Sequence, residues 1–69
     1  MTENLYNLRR EQRRAERMED TALKMMRQAV EQGRHHQTMP MKDVIRYARM
    51  MVRLYGNLAI EEQRRASNV

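Results

Sequence analysis

The sequence lacks cysteine, tryptophan and phenylalanine, and it contains one proline and two glycines. Without cysteine the chain can form neither a disulfide bond nor a thiolate metal site. Its 69 residues make one small domain, and a chain this short obtains only about 3 to 5 kcal/mol of stability from its own core. We therefore expect a second copy of the chain, or another partner, to add stability.

Long apolar segments are also missing. No uninterrupted apolar run exceeds three residues, as in Met50 to Val52. The first ten residues show neither the basic segment nor the apolar segment of a secretory signal peptide. These two observations predict a soluble, cytoplasmic protein that does not span a membrane, and we do not expect a membrane to be its main partner.

The charge of the chain is unbalanced toward the positive sign. A net charge of +5 and a pI of about 10.4 predict an acidic partner, such as nucleic acid, anionic lipid or an acidic protein surface. Arginine outnumbers lysine, and its planar guanidinium suits carboxylate and phosphate groups. A GC-rich coding sequence would produce the same preference, so the charge indicates a class of partner only.

Residues with high helix propensity dominate the composition, which predicts an all-α fold. Helix-breaking residues cluster in the segment "GRHHQTMP", where Gly33 suits the end of one helix and Pro40 the first turn of the next, with Thr38 or Met39 as the cap before it. Because the connection is short, the second helix must fold back on the first as an antiparallel two-helix hairpin. The predicted single domain 1–69 comprises a helix 2–32, a loop 33–39, a helix 40–65 and a frayed tail 66–69.

The second predicted helix is apolar around much of its circumference. Its apolar residues cover an arc of roughly 220°, at about 100° per residue. One neighbouring helix cannot cover that arc, so either the hairpin dimerises into a four-helix bundle or the outer strip is a docking surface for another protein. Gly56 lies within the pattern, where we favour a slight bend over a close crossing by a second backbone.

We interpret the outer strip as a binding site for a partner protein. An apolar strip supplies affinity in helix-in-groove recognition, and a charged rim supplies orientation. The sequence thus predicts a small non-enzymatic regulator or adaptor, acting as a homodimer. The proposed anchors are Tyr47, Met50 and Leu54, and the proposed rim is Arg46, Arg49 and Arg53.

The alternative interpretation is a hairpin dimer that binds RNA or duplex DNA. Arginines of the first helix recur at steps of three and four residues, so they share one face that could neutralise phosphates. Acidic residues lie among them, however, and the tyrosines are not interleaved with them, which argues against stacking on single strands. A solvated helix face explains the same pattern, so we rank a protein partner first. The candidate phosphate-binding residues are Arg10, Arg13, Arg14, Arg17, Lys24 and Lys42.

The sequence carries no catalytic signature. Its one serine, Ser67, lies near the end of the chain, and no glycine-rich phosphate loop is present. His35 and His36 are adjacent in the predicted loop, but two histidines are too few to form a metal cage alone. We therefore expect no enzymatic activity, metal, cofactor or small-molecule substrate. A small, cysteine-free, basic helical protein of this kind suggests a regulator from a phage, a plasmid or a secretion system, an analogy that concerns size alone.

Overall fold

The structure is a computed structural model that describes residues 3–68. It contains α1 (Glu3–Glu31), a short 3₁₀ helix (His35–Gln37) and α2 (Thr38–Ser67), and this part of the chain contains no strand. Gln12 of α1 faces Gly56 of α2, and Glu19 faces Arg49. From the first facing pair to the second, the residue number rises in α1 and falls in α2, so the two helices are antiparallel. The prediction of an all-α helical hairpin is confirmed.

α1 ends in a Schellman motif centred on Gly33. The backbone of Gly33 has a φ of 73°, the left-handed conformation that glycine adopts without steric cost. The N–H of Arg34 donates to the carbonyl oxygen of Ala29 at 2.7 Å, and the N–H of Gly33 donates to that of Val30 at 3.1 Å. These bonds satisfy carbonyl groups at the end of the helix, as expected of a glycine that follows the C-cap residue, two positions beyond Glu31.

α2 begins at Thr38, two residues before Pro40, where the sequence had suggested a start. Pro40 is the third residue of the helix, within the first turn, where a missing N–H leaves no hydrogen bond unmade. The expected cap at Thr38 or Met39 is wrong, because the preceding 3₁₀ turn already directs the chain into the helix. Gln37 is the N-cap residue, and the Thr38 Oγ1 hydroxyl donates instead to the His35 carbonyl oxygen at 2.7 Å.

α2 also extends further than expected at its end. The helix continues to Ser67, whose Oγ donates to the Gln63 carbonyl oxygen at 3.0 Å. The N–H of Asn68 donates to the carbonyl oxygens of Arg64 and Arg65. Residues 66 and 67 of the predicted frayed tail are therefore helical, while residues 2 and 69, which the prediction also covered, lie outside the described range.

The two helices meet along a narrow line of small side chains, which we call the alanine seam. In α1 the buried alanines are spaced seven residues apart, which keeps them on one side of the helix. Alanine lets the two backbones approach closely, so larger apolar side chains lie to either side of the seam. The buried residues of the seam are Leu5, Ala15, Ala22, Ala29, Ile45, Ala48 and Ala59.

The hairpin is a thin rod whose Cα atoms extend over 56 × 14 × 11 Å. Its accessible surface is 5682 Å², whereas a compact globular protein of this mass exposes about 4,600 Å². Much of the excess is apolar, because large side chains remain exposed on both faces of the rod. They include Tyr6, Met18, Met25, Val30, Met39, Tyr47, Met50, Leu54, Leu58 and Ile60. Within residues 3–68, neither α1 nor α2 has an apolar stretch long enough to cross a membrane.

Candidate protein-binding surfaces

A groove with a volume of about 700 Å³ lies along one face of the hairpin. Both helices contribute apolar side chains to it, and α2 also contributes four cations. Its lining residues include no carboxylate. We call this surface the arginine groove, and its lining residues are Leu23, Met26, Lys42, Ile45, Arg46, Arg49, Met50, Arg53, Leu54 and Asn57.

The spacing of residues in α2 accounts for the arrangement of the groove. Lys42, Arg46 and Arg53 are separated by steps of four and seven residues, so they form a line along the helix. Met50 and Leu54 are four residues apart and form a second line further from the seam, with 61% and 47% of their surfaces exposed. The cations thus lie beside an uncovered apolar strip.

An ion pair between Arg49 and Glu19 joins the two helices on the same side of the seam. The Arg49 Nε lies 3.0 Å from the Glu19 Oε1, and the Arg49 side chain remains 65% exposed. An ion pair this exposed contributes only about 0 to 1 kcal/mol to stability. It neutralises one of the four cations, whereas Lys42, Arg46 and Arg53 form no ion pair with any residue between 3 and 68.

The opposite face of the hairpin carries two adjoining depressions of about 470 and 350 Å³. Arg14 and Met18 line both of them. The Arg14 Nη1 lies 3.3 Å from the Glu11 Oε1, so one cation of this face is paired. We call this surface the methionine–tyrosine face, defined by Met18, Met25, Met41, Val44, Tyr47, Met51 and Tyr55.

The positions of these residues around each helix show that the two surfaces are opposed. At about 100° per residue, Leu23 and Met26 lie on one side of Ala22, and Met18 and Met25 lie on the other. In an antiparallel pair, residues reached by the same direction of rotation from the seam lie on the same face of the hairpin in both helices. The alanine seam therefore separates the arginine groove from the methionine–tyrosine face.

The structure divides the predicted partner-binding residues between these surfaces. Arg46, Arg49, Arg53, Met50 and Leu54 come together in the arginine groove. Tyr47, predicted as an anchor beside Met50 and Leu54, instead lines the opposite face. These three residues lie on the side of α2 farthest from α1, which we call its outer edge, where the two faces of the hairpin meet. The sequence alone did not show which of the three belongs to which face.

The predicted phosphate-binding residues are also divided. Arg10, Arg13, Arg17 and Lys24 are exposed on α1, and Arg17 borders the methionine–tyrosine face together with Arg14. Lys42 lies on the other side of the seam, in the arginine groove. The six residues therefore do not form one continuous basic surface.

Sequence reasoning missed the contribution of α1 to the arginine groove. Leu23 and Met26 line the groove, although the sequence analysis placed the partner-binding residues on the second helix alone. The spacing of the alanines in α1 could have predicted this. Alanines seven residues apart mark the packed side of the helix, so Leu23 and Met26, which lie to one side of Ala22, must line a surface beside the seam.

The described residues show no cluster of three or more His, Cys, Asp or Glu side chains that could hold a metal ion. His35 and His36 are exposed in the 3₁₀ helix. No protein family, curated protein or solved structure matches this chain. Its function must therefore be inferred from its own surfaces.

Proposed function

We propose that the protein is a small non-enzymatic regulator or adaptor that binds an acidic amphipathic helix of a partner protein in its arginine groove. The observation that supports this proposal is the combination, in one groove, of an apolar strip with three cations that form no ion pair within residues 3–68, and with no carboxylate among the lining residues. A partner helix would place its apolar side chains against the strip and its carboxylates against the cations. This is the helix-in-groove mode of recognition.

The apolar part of the groove suits an adaptable contact. Met26 and Met50 line it on α1 and α2, and their unbranched thioether side chains can repack around different apolar anchors. With 61% of its surface exposed, Met50 has apolar area that a partner can cover. Covering apolar area contributes about 25 cal/mol per Å² before the costs of association, so this strip would provide most of the affinity.

The cations would set the orientation of the partner. Arg46 and Arg53 are seven residues apart, which corresponds to about 10 Å along the helix axis at 1.5 Å per residue. Acidic side chains two turns apart on a partner helix match that separation. Pairs at the exposed edge of an interface mainly raise the association rate and exclude wrong partners, so they would contribute specificity more than affinity.

The same proposal includes a homodimer that forms a four-helix bundle. In this dimer the arginine groove of each copy remains open to the helix of the partner protein. We also propose that the protein binds its partner in the cytoplasm. Fractionation of cells that contain the tagged protein tests the location independently of the binding site.

Affinity capture with two matched variants tests the binding site. Arg46→Glu/Arg53→Glu reverses charge in the groove, and Arg10→Glu/Arg13→Glu makes the same change of charge on exposed residues of α1. We expect the groove variant to lose a protein that both the wild type and the α1 variant capture, with or without nuclease. Loss with both variants, or loss on nuclease treatment, would contradict the proposal and favour nucleic acid.

A synthetic peptide tests the chemistry of the partner directly. The probe is an amphipathic helix with leucines at i, i+3 and i+7 flanked by glutamates, and its control has glutamine in place of each glutamate. We expect the acidic peptide to bind at least about tenfold more tightly near 0.15 M salt, and Arg46→Glu/Arg53→Glu to abolish that preference. Equal affinity for both peptides would exclude recognition by the cations.

A further inference from the structure

We propose that the methionine–tyrosine face is the surface through which two copies of this chain associate, so that the arginine grooves remain on the outside of the dimer. This inference rests on the homodimer in the proposed function and assigns its interface. The occupant is a second copy, related by a two-fold axis, so the same residues contribute from both sides.

The exposed area of the hairpin fits an interface of this kind. Its accessible surface exceeds that of a compact protein of equal mass by about 1,000 Å². Stable protein interfaces remove roughly 600 to 1,000 Å² from each partner. Association through one face of the rod would therefore bring the exposed surface close to the value for a compact protein.

The charges of the two faces decide which of them pairs with itself. A two-fold contact through the arginine groove would bring Lys42, Arg46 and Arg53 of one copy against the same cations of the other. Only Arg49 has an acidic partner on that side, within residues 3–68. Because like charges opposed across an interface disfavour the complex, the arginine groove is a poor surface for self-association.

On the methionine–tyrosine face this obstacle is smaller, because Arg17 is the one lining cation without an ion pair to a residue between 3 and 68. Of the two cations that line its depressions, Arg14 is already paired with Glu11. The remaining lining is mainly methionine, tyrosine and small residues, and methionine and tyrosine are enriched at protein interfaces. Met25 and Tyr47 are 51% and 54% exposed, so a second copy would cover apolar area that the hairpin leaves uncovered.

Single-cysteine variants test the assignment without disrupting the dimer. The chain has no cysteine of its own, so one introduced thiol reports one position. Met25→Cys places the thiol on the methionine–tyrosine face, and Met50→Cys places it in the arginine groove. As protein concentration rises through the dimerisation range, we expect alkylation of Met25→Cys to slow at least about fivefold and alkylation of Met50→Cys to stay constant. Protection of Met50→Cys alone would overturn the assignment.

Sedimentation of two double variants provides the second test. Met25→Glu/Tyr47→Glu should give a monomer that remains helical by circular dichroism, since both side chains are exposed in the hairpin. Met50→Glu/Leu54→Glu should stay dimeric and lose the acidic peptide. The opposite result, or a wild type that stays monomeric at high concentration, would refute the inference. A different outcome would refute the proposed function alone. In that outcome the dimer forms through this face, and Arg46→Glu/Arg53→Glu captures the same proteins as the wild type.

Discussion

Gly56 of α2 lies directly against the side chain of Gln12 of α1. A Cβ atom at Gly56 would stand 3.0 Å from the Gln12 Nε2, closer than such atoms ordinarily approach. The Gln12 Oε1 accepts a hydrogen bond from the Arg9 Nη1 at 3.0 Å, which holds the amide in place. The glycine in this helix thus makes room for a side chain of the same hairpin.

Replacing Gly56 with alanine should reveal this contact as a coupling between the two residues. Alanine favours a helix by about 1 kcal/mol over glycine, but Gln12 must move to admit the new methyl group. We expect Gly56→Ala to stabilise the protein by about 0.5 kcal/mol alone and by about 1 kcal/mol in a Gln12→Ala background. Urea unfolding at one fixed protein concentration measures both. Identical effects in the two backgrounds would show that Gln12 does not restrict the site.

Gly33→Ala should destabilise the hairpin through the backbone alone. A Cβ at Gly33 would meet nothing within 4 Å, so its cost comes from the left-handed conformation, about 1 to 2 kcal/mol for a residue with a side chain. Gly33→Asn should cost less, because asparagine adopts this conformation more readily. Thermal unfolding of the three proteins checks the order Gly, Asn, Ala, and equal stability of all three would contradict it.

Enlarging a side chain within the alanine seam should separate the helices. Ala48 has no exposed surface, so Ala48→Leu must displace the opposite helix, at a cost of about 1 to 3 kcal/mol. Ala66→Leu makes the same chemical change at an exposed position of α2 and should alter stability by less than about 0.5 kcal/mol. Denaturant unfolding compares the two variants. A tolerated leucine at residue 48 would mean that the seam has space to spare.

Replacing His35 and His36 with serine should leave the melting temperature unchanged. Both side chains are exposed, and the contact that His35 makes to Thr38 uses its backbone carbonyl oxygen, which serine retains. Added zinc should likewise have no specific effect. Thermal unfolding with and without zinc tests both statements. A zinc-dependent rise in melting temperature that disappears with the substitutions would reveal a metal site.

Replacing Arg10, Arg13, Arg14 and Arg17 with glutamine tests the nucleic-acid alternative. Arg14 is paired with Glu11, and Lys42 lies on the other side of the seam, so we expect only weak duplex binding near physiological salt and little change on substitution. A salt titration of binding to duplex DNA and to structured RNA measures this. Submicromolar binding at about 0.15 M salt that the substitutions abolish would make nucleic acid the preferred partner.

The hairpin was predictable because its signals are local. Gly33 ends α1 in the conformation expected of it, and the connection is too short for any arrangement other than a return along the first helix. The division of the surface was not predictable in the same way. Tyr47 and Leu54 are seven residues apart and nearly aligned on α2, yet they line different faces. A residue at the outer edge of α2 can belong to either face, and the position of α1 decides which. Helical periodicity does not contain that information.

Combined with the proposed dimer, the alanine seam would make the folded fraction of the protein depend on its concentration. Because alanine buries little apolar area, each hairpin obtains little free energy of folding from its own seam. In the proposed dimer a second molecule would cover the exposed parts of its larger apolar side chains, and association of this kind makes thermal stability rise with concentration. Copies made in excess of such partners would then be the first to unfold and to reach proteases. On this proposal, gene dosage and the supply of partner would determine how much folded protein a cell retains.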